Sequence, residues 1–148
     1  MEAATFLAKF NKSLPNDIRA LTIEKVGAHF NIIQDAKRKE YRYLFSCGEK
    51  PHPFCAPFLW GVHENLNIPL MQEGAKLFEG QHNFQRYAYK PTEKTVFKRE
   101  IFLSEITENT ELTASFFPET TYVFKVQGNG FLRYQIRLMM GILTQLGK

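Results

Sequence analysis

Between positions 122 and 146 the apolar pattern changes its period from that of a strand to that of a helix, across two closely spaced glycines. Tyr122, Phe124 and Val126 alternate with Val123, Lys125 and Gln127, which gives an extended segment one apolar face. After Gly128-Asn129-Gly130, the residues Leu132, Ile136, Met139, Met140 and Leu143 recur at helical spacing. They predict a last helix from Phe131 to about Leu146, stopped by Gly147. Elsewhere strands and helices mix without a repeating βα period, internal repeat or low-complexity tract. The expected class is therefore α+β (mixed α/β), with a largely antiparallel sheet and helices packed on one face.

Ala3, Phe6, Leu7, Phe10 and Leu14 predict a helix at the start of the chain, with no N-cap before Glu2. Pro15-Asn16-Asp17 breaks it, and alternation from Ile18 to Glu24 reads as a strand. Along 37–45, Tyr41, Tyr43 and Phe45 share one strand face, and Glu40, Arg42 and Leu44 share the other. The segment from Gly48 to Gly61, with Pro51, Pro53 and Pro57, reads as a loop. Asn67 caps a helix with Pro69 in its first turn, an apolar stripe of Leu70, Met71, Leu77 and Phe78, and an end at Gly80. From Thr95 to Ile106 the chain is rich in strand-forming residues.

A chain of 148 residues is long enough for one domain with its own core, and a single domain over 1–148 is expected. Fourteen Phe and six Tyr must supply much of that core. The formal charge of +4 permits a polyanionic partner without demanding one. Cys47 and Cys55 fit neither a zinc knuckle nor a disulfide framework. His29, His52, His63 and His82 lack metal-ligand spacing, so no metal or cofactor is expected. The opening residues do not resemble a signal peptide, and no stretch approaches the ~18 apolar residues of a membrane span. A cytoplasmic location is expected.

Basic residues cluster in three places. Lys37, Arg38, Lys39 and Arg42 interleave with Tyr41 and Tyr43. Lys90, Lys94, Lys98 and Arg99 interleave with Tyr87, Tyr89 and Phe97. Cations on phosphates with flat rings under unstacked bases are a feature of RNA binding, whereas a lysine-guarded strand edge is the plainer reading of either cluster. Arg133 and Arg137 form the third cluster, at i and i+4 on one helix face. Arg137 lies between residues expected to be buried, and the last helix offers it no acid. A buried arginine needs a carboxylate or a phosphate, so Arg137 reads as waiting for a charge from elsewhere, with an internal salt bridge or a snorkelling side chain as the alternatives. The only aspartates, Asp17 and Asp35, sit in turn contexts, so no complete active site is visible.

Three stretches in order resemble the tRNA pseudouridine synthase A family. They are SLPNDI at 13–18, continuing to Phe30 and the KEYRYLF strand at 39–45; EGQHNFQRYA at 79–88 with the Lys94-Thr95 to Arg99 strand; and GNGFLRYQIRLMMGIL at 128–143. The resemblance implies isomerisation of uridine to pseudouridine in the tRNA anticodon arm, without cofactor or metal, by a homodimer. It further implies that Tyr41 stacks on the target uracil and takes its C5 proton. Arg137 then pairs with a catalytic aspartate whose loop lies upstream of the stretch matched here, and this chain is expected to be an inactive C-terminal portion. The basic positions Lys37, Arg38, Lys39, Arg42, Lys94, Lys98, Arg99 and Arg133, with Tyr43, are the expected RNA contacts. Asn31-Ile32-Ile33-Gln34-Asp35 after Phe30 departs from many bacterial members, and LRYQIR leans toward the eukaryotic branch. The alternative is a non-catalytic RNA-binding module with the same basic-aromatic surface; a third reading is a structural or dimerisation domain.

Overall fold

The computed structural model describes residues 2–148 and divides them into two compact units, one ending at Ala36 and the other comprising Lys37–Lys148. The first unit holds helix α1 (Ala3–Ser13), as the periodicity predicts. None of its described residues is fully buried. The strand expected over 18–24 does not form. Alternation gives a segment an apolar face, but a strand also needs a partner for its backbone. Here the carboxamide of Asn11 meets that need locally: its Nδ2 donates to the Ala20 carbonyl at 2.9 Å, and its Oδ1 accepts from the Ala20 N–H at 2.8 Å.

The second unit is built on five strands, β1 (Lys39–Cys47), β2 (Trp60–Val62), β3 (Gly80–Asn83), β4 (Lys98–Glu108) and β5 (Tyr122–Gly128). Their spatial order is β2-β1-β5-β4-β3. Only β1 and β2 pair in parallel; the other pairings are antiparallel. Register places Tyr41 opposite Val126, Tyr43 opposite Phe124 and Phe45 opposite Tyr122, so the apolar alternations of β1 and β5 share a face. That face meets α2 (Ile68–Lys76) and α3 (Gln135–Gly147). Phe45, Phe124, Val126, Ile101 and Ile106 from the sheet join Met71 and Ala75 of α2 and Ile136, Met139, Met140 and Leu143 of α3 in one buried cluster. The α+β class with helices on a largely antiparallel sheet follows directly.

Four boundaries differ from the sequence reading. The proline-rich segment does contain a loop, but Trp60–Val62 leaves it to form the edge strand β2. Helix α2 is capped as predicted, Asn67 Oδ1 accepting from the Leu70 N–H at 3.1 Å, but its last residue is Lys76. Leu77 is then 78% exposed, and Gly80, with φ +93°, opens β3 rather than closing the helix. Strand β4 begins at Lys98, three residues beyond Thr95. Helix α3 begins at Gln135, because Tyr134 takes a left-handed backbone (φ 61°) that no helix interior accepts.

Two close approaches fix this arrangement. β4 carries an irregularity between Ile101 and Leu103, opposite the end of β5. There a Cβ on Gly128 would lie 2.7 Å from the Glu100 carbonyl oxygen and 3.1 Å from the Phe131 ring. At the far end of α3, a Cβ on Gly147 would lie 2.7 Å from Met71 Sδ, and the Asn67 N–H donates to the Gly147 carbonyl at 2.8 Å. Among the described residues no helix is long and apolar enough to cross a membrane, and no His/Cys/Asp/Glu group could hold a metal ion.

Candidate RNA-facing cleft

Strand β1 and the lead-in to α3 enclose the most informative concavity in the second unit. Tyr41 is on the core face of β1 but near its start, where helix cover ends, and it remains 49% exposed. Its ring meets Phe131 edge to face, at 5.2 Å and 86°. The lead-in is held from below by Gln135, whose side chain is completely buried. Gln135 Oε1 accepts from the Leu132 N–H at 2.8 Å, and its own N–H donates to the Leu132 carbonyl at 3.1 Å. This clamp turns Tyr134 outward at the first turn of α3. A cleft of about 320 Å³ results, lined by Tyr41, Arg42, Tyr43, Phe131, Leu132, Tyr134, Gln135, Ile136 and Arg137. Tyr43, Arg42 and Arg137 also line a neighbouring hollow of about 460 Å³ that reaches Trp60, whose ring meets Tyr43 at 6.3 Å.

Tyr41 and Arg137, far apart in sequence, thus line one cleft. The expectation that Arg137 would be buried is corrected: it is exposed, and its neighbour Leu138 is 38% exposed. Arg137 and Leu138 fall on the outer face of α3 while Ile136, Met139 and Met140 are buried, so apolar flanks in sequence do not enclose the arginine. Its guanidinium carbon lies 5.0 Å from the centroid of the Tyr134 ring. No residue lining the cleft is a carboxylate. The shared helix face expected for Arg133 and Arg137 is also corrected, since Arg133 precedes α3. The two arginines meet through Tyr134, over whose ring Arg133 lies at 5.5 Å.

Most of the other predicted positions fall elsewhere. Arg42 borders the cleft, but its guanidinium is taken up by glutamates: its Nε donates to Glu40 at 2.7 Å and its Nη1 to Glu111 at 2.5 Å. The hydrogen bond from Arg42, then that from Gln127, holds the Glu40 carboxyl below its ordinary range, and Glu40 in turn raises Arg42. Arg38 joins the same network through Gln127 and lies 5.8 Å over Phe102. Lys39 shares the Tyr41 face at the start of β1, and Lys37 precedes that strand. Lys94 lies in the loop before β4. Lys98 and Arg99 pair with Asn83 and His82 at the far side of the sheet, away from β1. The cleft therefore gathers Tyr41, Arg42, Tyr43 and Arg137, with Arg133 beside them, but not Lys94, Lys98 or Arg99. The sequence reading missed Tyr134, which links the arginines, and Gln135, which sets the lead-in. An aromatic in a left-handed conformation carries no local signal, and a buried glutamine reads as an ordinary polar helix residue.

Comparison with known proteins agrees with this geometry. Residues 75–148, half of the chain, match the family model described as tRNA pseudouridine synthase. A tRNA pseudouridine synthase A 2 of Bacillus cereus (strain ATCC 10987 / NRS 248) is 31% identical over 138 residues, covering 93% of this chain and 52% of the relative. The tRNA pseudouridine synthase A of Pelobacter propionicus is 33% identical over 144 residues, covering 97% of this chain and 55% of the relative. That of Pseudothermotoga lettingae is 31% identical over 137 residues, 93% and 53% respectively. The chain spans about half the length of the curated relatives it matches. With the matched segment carrying β4, β5, the α3 lead-in and Arg137, the chain belongs to the tRNA pseudouridine synthase family.

Proposed function

We propose that residues 1–148 form the carboxy-terminal portion of an enzyme that isomerises uridine to pseudouridine in the anticodon arm of tRNA. The observation that carries the reading is the convergence of Tyr41 and Arg137 on one cleft, where Arg137 and Arg133 have no acid partner among the described residues. An unstacked uracil has a flat face for the Tyr41 ring, and a few kcal/mol of unstacking is offset by such contacts together with phosphate contacts. In the reaction the C1′–N1 glycosidic bond breaks, a C1′–C5 bond forms, the C5 proton leaves and N1 takes up a proton. On this reading the side-chain oxygen of Tyr41 takes the C5 proton as it passes its own hydroxyl proton on. Arg137 pairs with the aspartate nucleophile, a carboxylate that the residues lining this cleft do not include. Isomerisation conserves every atom of the uridine, so the reading needs no cofactor. The working enzyme is read as a cytoplasmic homodimer.

The chain alone is expected to bind tRNA and to leave its uridines unchanged. A chimera in which this chain replaces the matching half of the Bacillus cereus relative is expected to form pseudouridine in an unmodified transcript, mapped by chemical labelling. Arg137→Met in that chimera should abolish turnover while much of the tRNA affinity remains, because it strands the aspartate without its partner. A chimera that folds and binds tRNA but converts no uridine would sink the catalytic reading. The cleft without a carboxylate favours a second reading, an RNA-binding module without chemistry, and that outcome would select it.

A further inference from the structure

Cations in the second unit are satisfied in two different ways. Arg42, Lys125 and Lys148 each close on a glutamate, at 2.5–3.0 Å. Lys90, Arg133 and Arg137 lie over tyrosine rings instead: Lys90 at 5.4 Å from Tyr89, Arg133 at 5.7 Å from Tyr89 and 5.5 Å from Tyr134, and Arg137 at 5.0 Å from Tyr134. Among the described residues none of the three has a carboxylate within ion-pair distance. A ring face attracts a cation but leaves its N–H donors open. The two tyrosines meet edge to face at 4.9 Å, and the Tyr89 N–H donates to the Arg133 carbonyl at 3.2 Å. Lys90, Tyr89, Arg133, Tyr134 and Arg137 therefore make one continuous row that ends in the Tyr41 cleft. Lys90 and Tyr134 are also the described non-glycine residues with left-handed backbones, so the chain holds one end of the row and the ring between its two arginines in uncommon conformations.

We propose that this row is a phosphate rail for a single RNA strand leaving the Tyr41 cleft. Arg133 and Lys90 each take one backbone phosphate of the nucleotides next to the one in the cleft. Tyr134 is a positioning residue that holds the guanidinium groups of Arg133 and Arg137 in place. The proposal rests on the reading above that the cleft admits a nucleotide. A single RNA strand matches the row in both of its components, because it presents one charge per nucleotide and unstacked bases that lie well against rings and guanidinium planes. Arginines already ordered on a ring lose less freedom when they bind than free ones do.

The test is fluorescence anisotropy of the whole 148-residue chain with a labelled oligouridylate over a salt series. Log affinity is expected to fall linearly with log salt, and Lys90→Gln and Arg133→Gln should each flatten that slope by about 0.7. Lys125→Gln, whose ammonium is already on Glu105, should leave the slope as it is. Tyr134→Leu should weaken binding about tenfold at an unchanged slope, since no charge is removed, and Tyr134→Phe should restore it. Parent protein that does not bind at low salt would remove the nucleotide reading and the rail together. Parent binding with unaltered slopes for Lys90→Gln and Arg133→Gln would overturn the rail alone, and full binding by Tyr134→Leu would overturn the positioning role. Crosslinking of a 4-thiouridine oligonucleotide to the unaltered chain gives an answer even if a variant fails to fold. Adducts on Tyr89 or Tyr134 support the rail, and adducts confined to other peptides overturn it.

Discussion

The guanidinium of Arg137 lies over the ring of Tyr134, 5.0 Å from its centroid, and no glutamate or aspartate lies within ion-pair distance of it among the described residues. An exposed cation on a ring adds little to fold stability, because water already serves its donors. Arg137→Met should therefore shift the unfolding free energy of this chain by no more than about 0.5 kcal/mol in urea melts. A loss above about 2 kcal/mol would reveal a structural partner and refute the idea that this arginine is held for a ligand or an acid from elsewhere.

Gln135 makes a sharper demand on stability. Its buried Oε1 is the acceptor for the Leu132 N–H. Gln135→Leu keeps the volume and deletes the acceptor, leaving a buried donor unmet at a cost of about 1–3 kcal/mol. Because the same bond turns Tyr134 outward, RNA affinity should fall in parallel. Calorimetric melting and a binding titration check the two effects together. A variant as stable as the parent would show that the lead-in is held by other contacts.

Gly128 should tolerate no side chain. Its missing Cβ would press on the Glu100 carbonyl at 2.7 Å, and that oxygen belongs to a strand backbone that has little room to move. Gly128→Ala is expected to cost about 1–3 kcal/mol through overpacking and to push Phe131 away from Tyr41. Thermal melts would register the first effect and ring-proton NMR shifts of Tyr41 the second. An unshifted Tyr41 would count against the coupling.

Acid should loosen the face of the sheet that carries Glu40 and Arg42. The Glu40 carboxyl is held below its ordinary range chiefly by the hydrogen bond from Arg42. A depressed folded value means that the unfolded chain binds the proton more tightly. The stabilisation is present above the unfolded glutamate range and fades as pH falls through the folded value. Melting temperature followed from about pH 7 down to about pH 3 should drop less steeply for Glu40→Gln than for the parent. Parallel curves would mean that the Glu40–Arg42–Glu111 network contributes nothing to folding.

Much of this fold was legible because the signals were both local and apolar. The alternation of β1 and β5, the Asn67 cap and the periodicity of α1 each specify an element without reference to distant residues. Residues 18–24 show the limit of that logic: their alternation is real, but a strand needs a partner, and Asn11 serves the Ala20 backbone instead. β3 was invisible because Gly-Gln-His-Asn has no apolar alternation and is recruited by the long β4 alone. At the cleft, the two residues singled out in sequence, Tyr41 and Arg137, line one concavity, but the burial inferred for Arg137 from its flanks was wrong. Helix α3 starts only after the left-handed Tyr134 and turns Arg137 to its outer face, and nothing near Tyr134 in sequence announces that start.

Helix α3 can also be regarded as a stiff bar, with Arg137 near its front and Gly147 at its tail, ten residues or about 15 Å further along. The tail rests directly on Met71 and the Asn67 backbone, so one added methyl group there acts as a shim. It would never touch RNA, yet it would tilt the bar and change the height at which Arg137 stands above Tyr41. The gauge of the cleft is therefore set partly at a contact between two helices at its remote end. A search for variants with altered RNA preference should include that contact along with the residues that line the cleft.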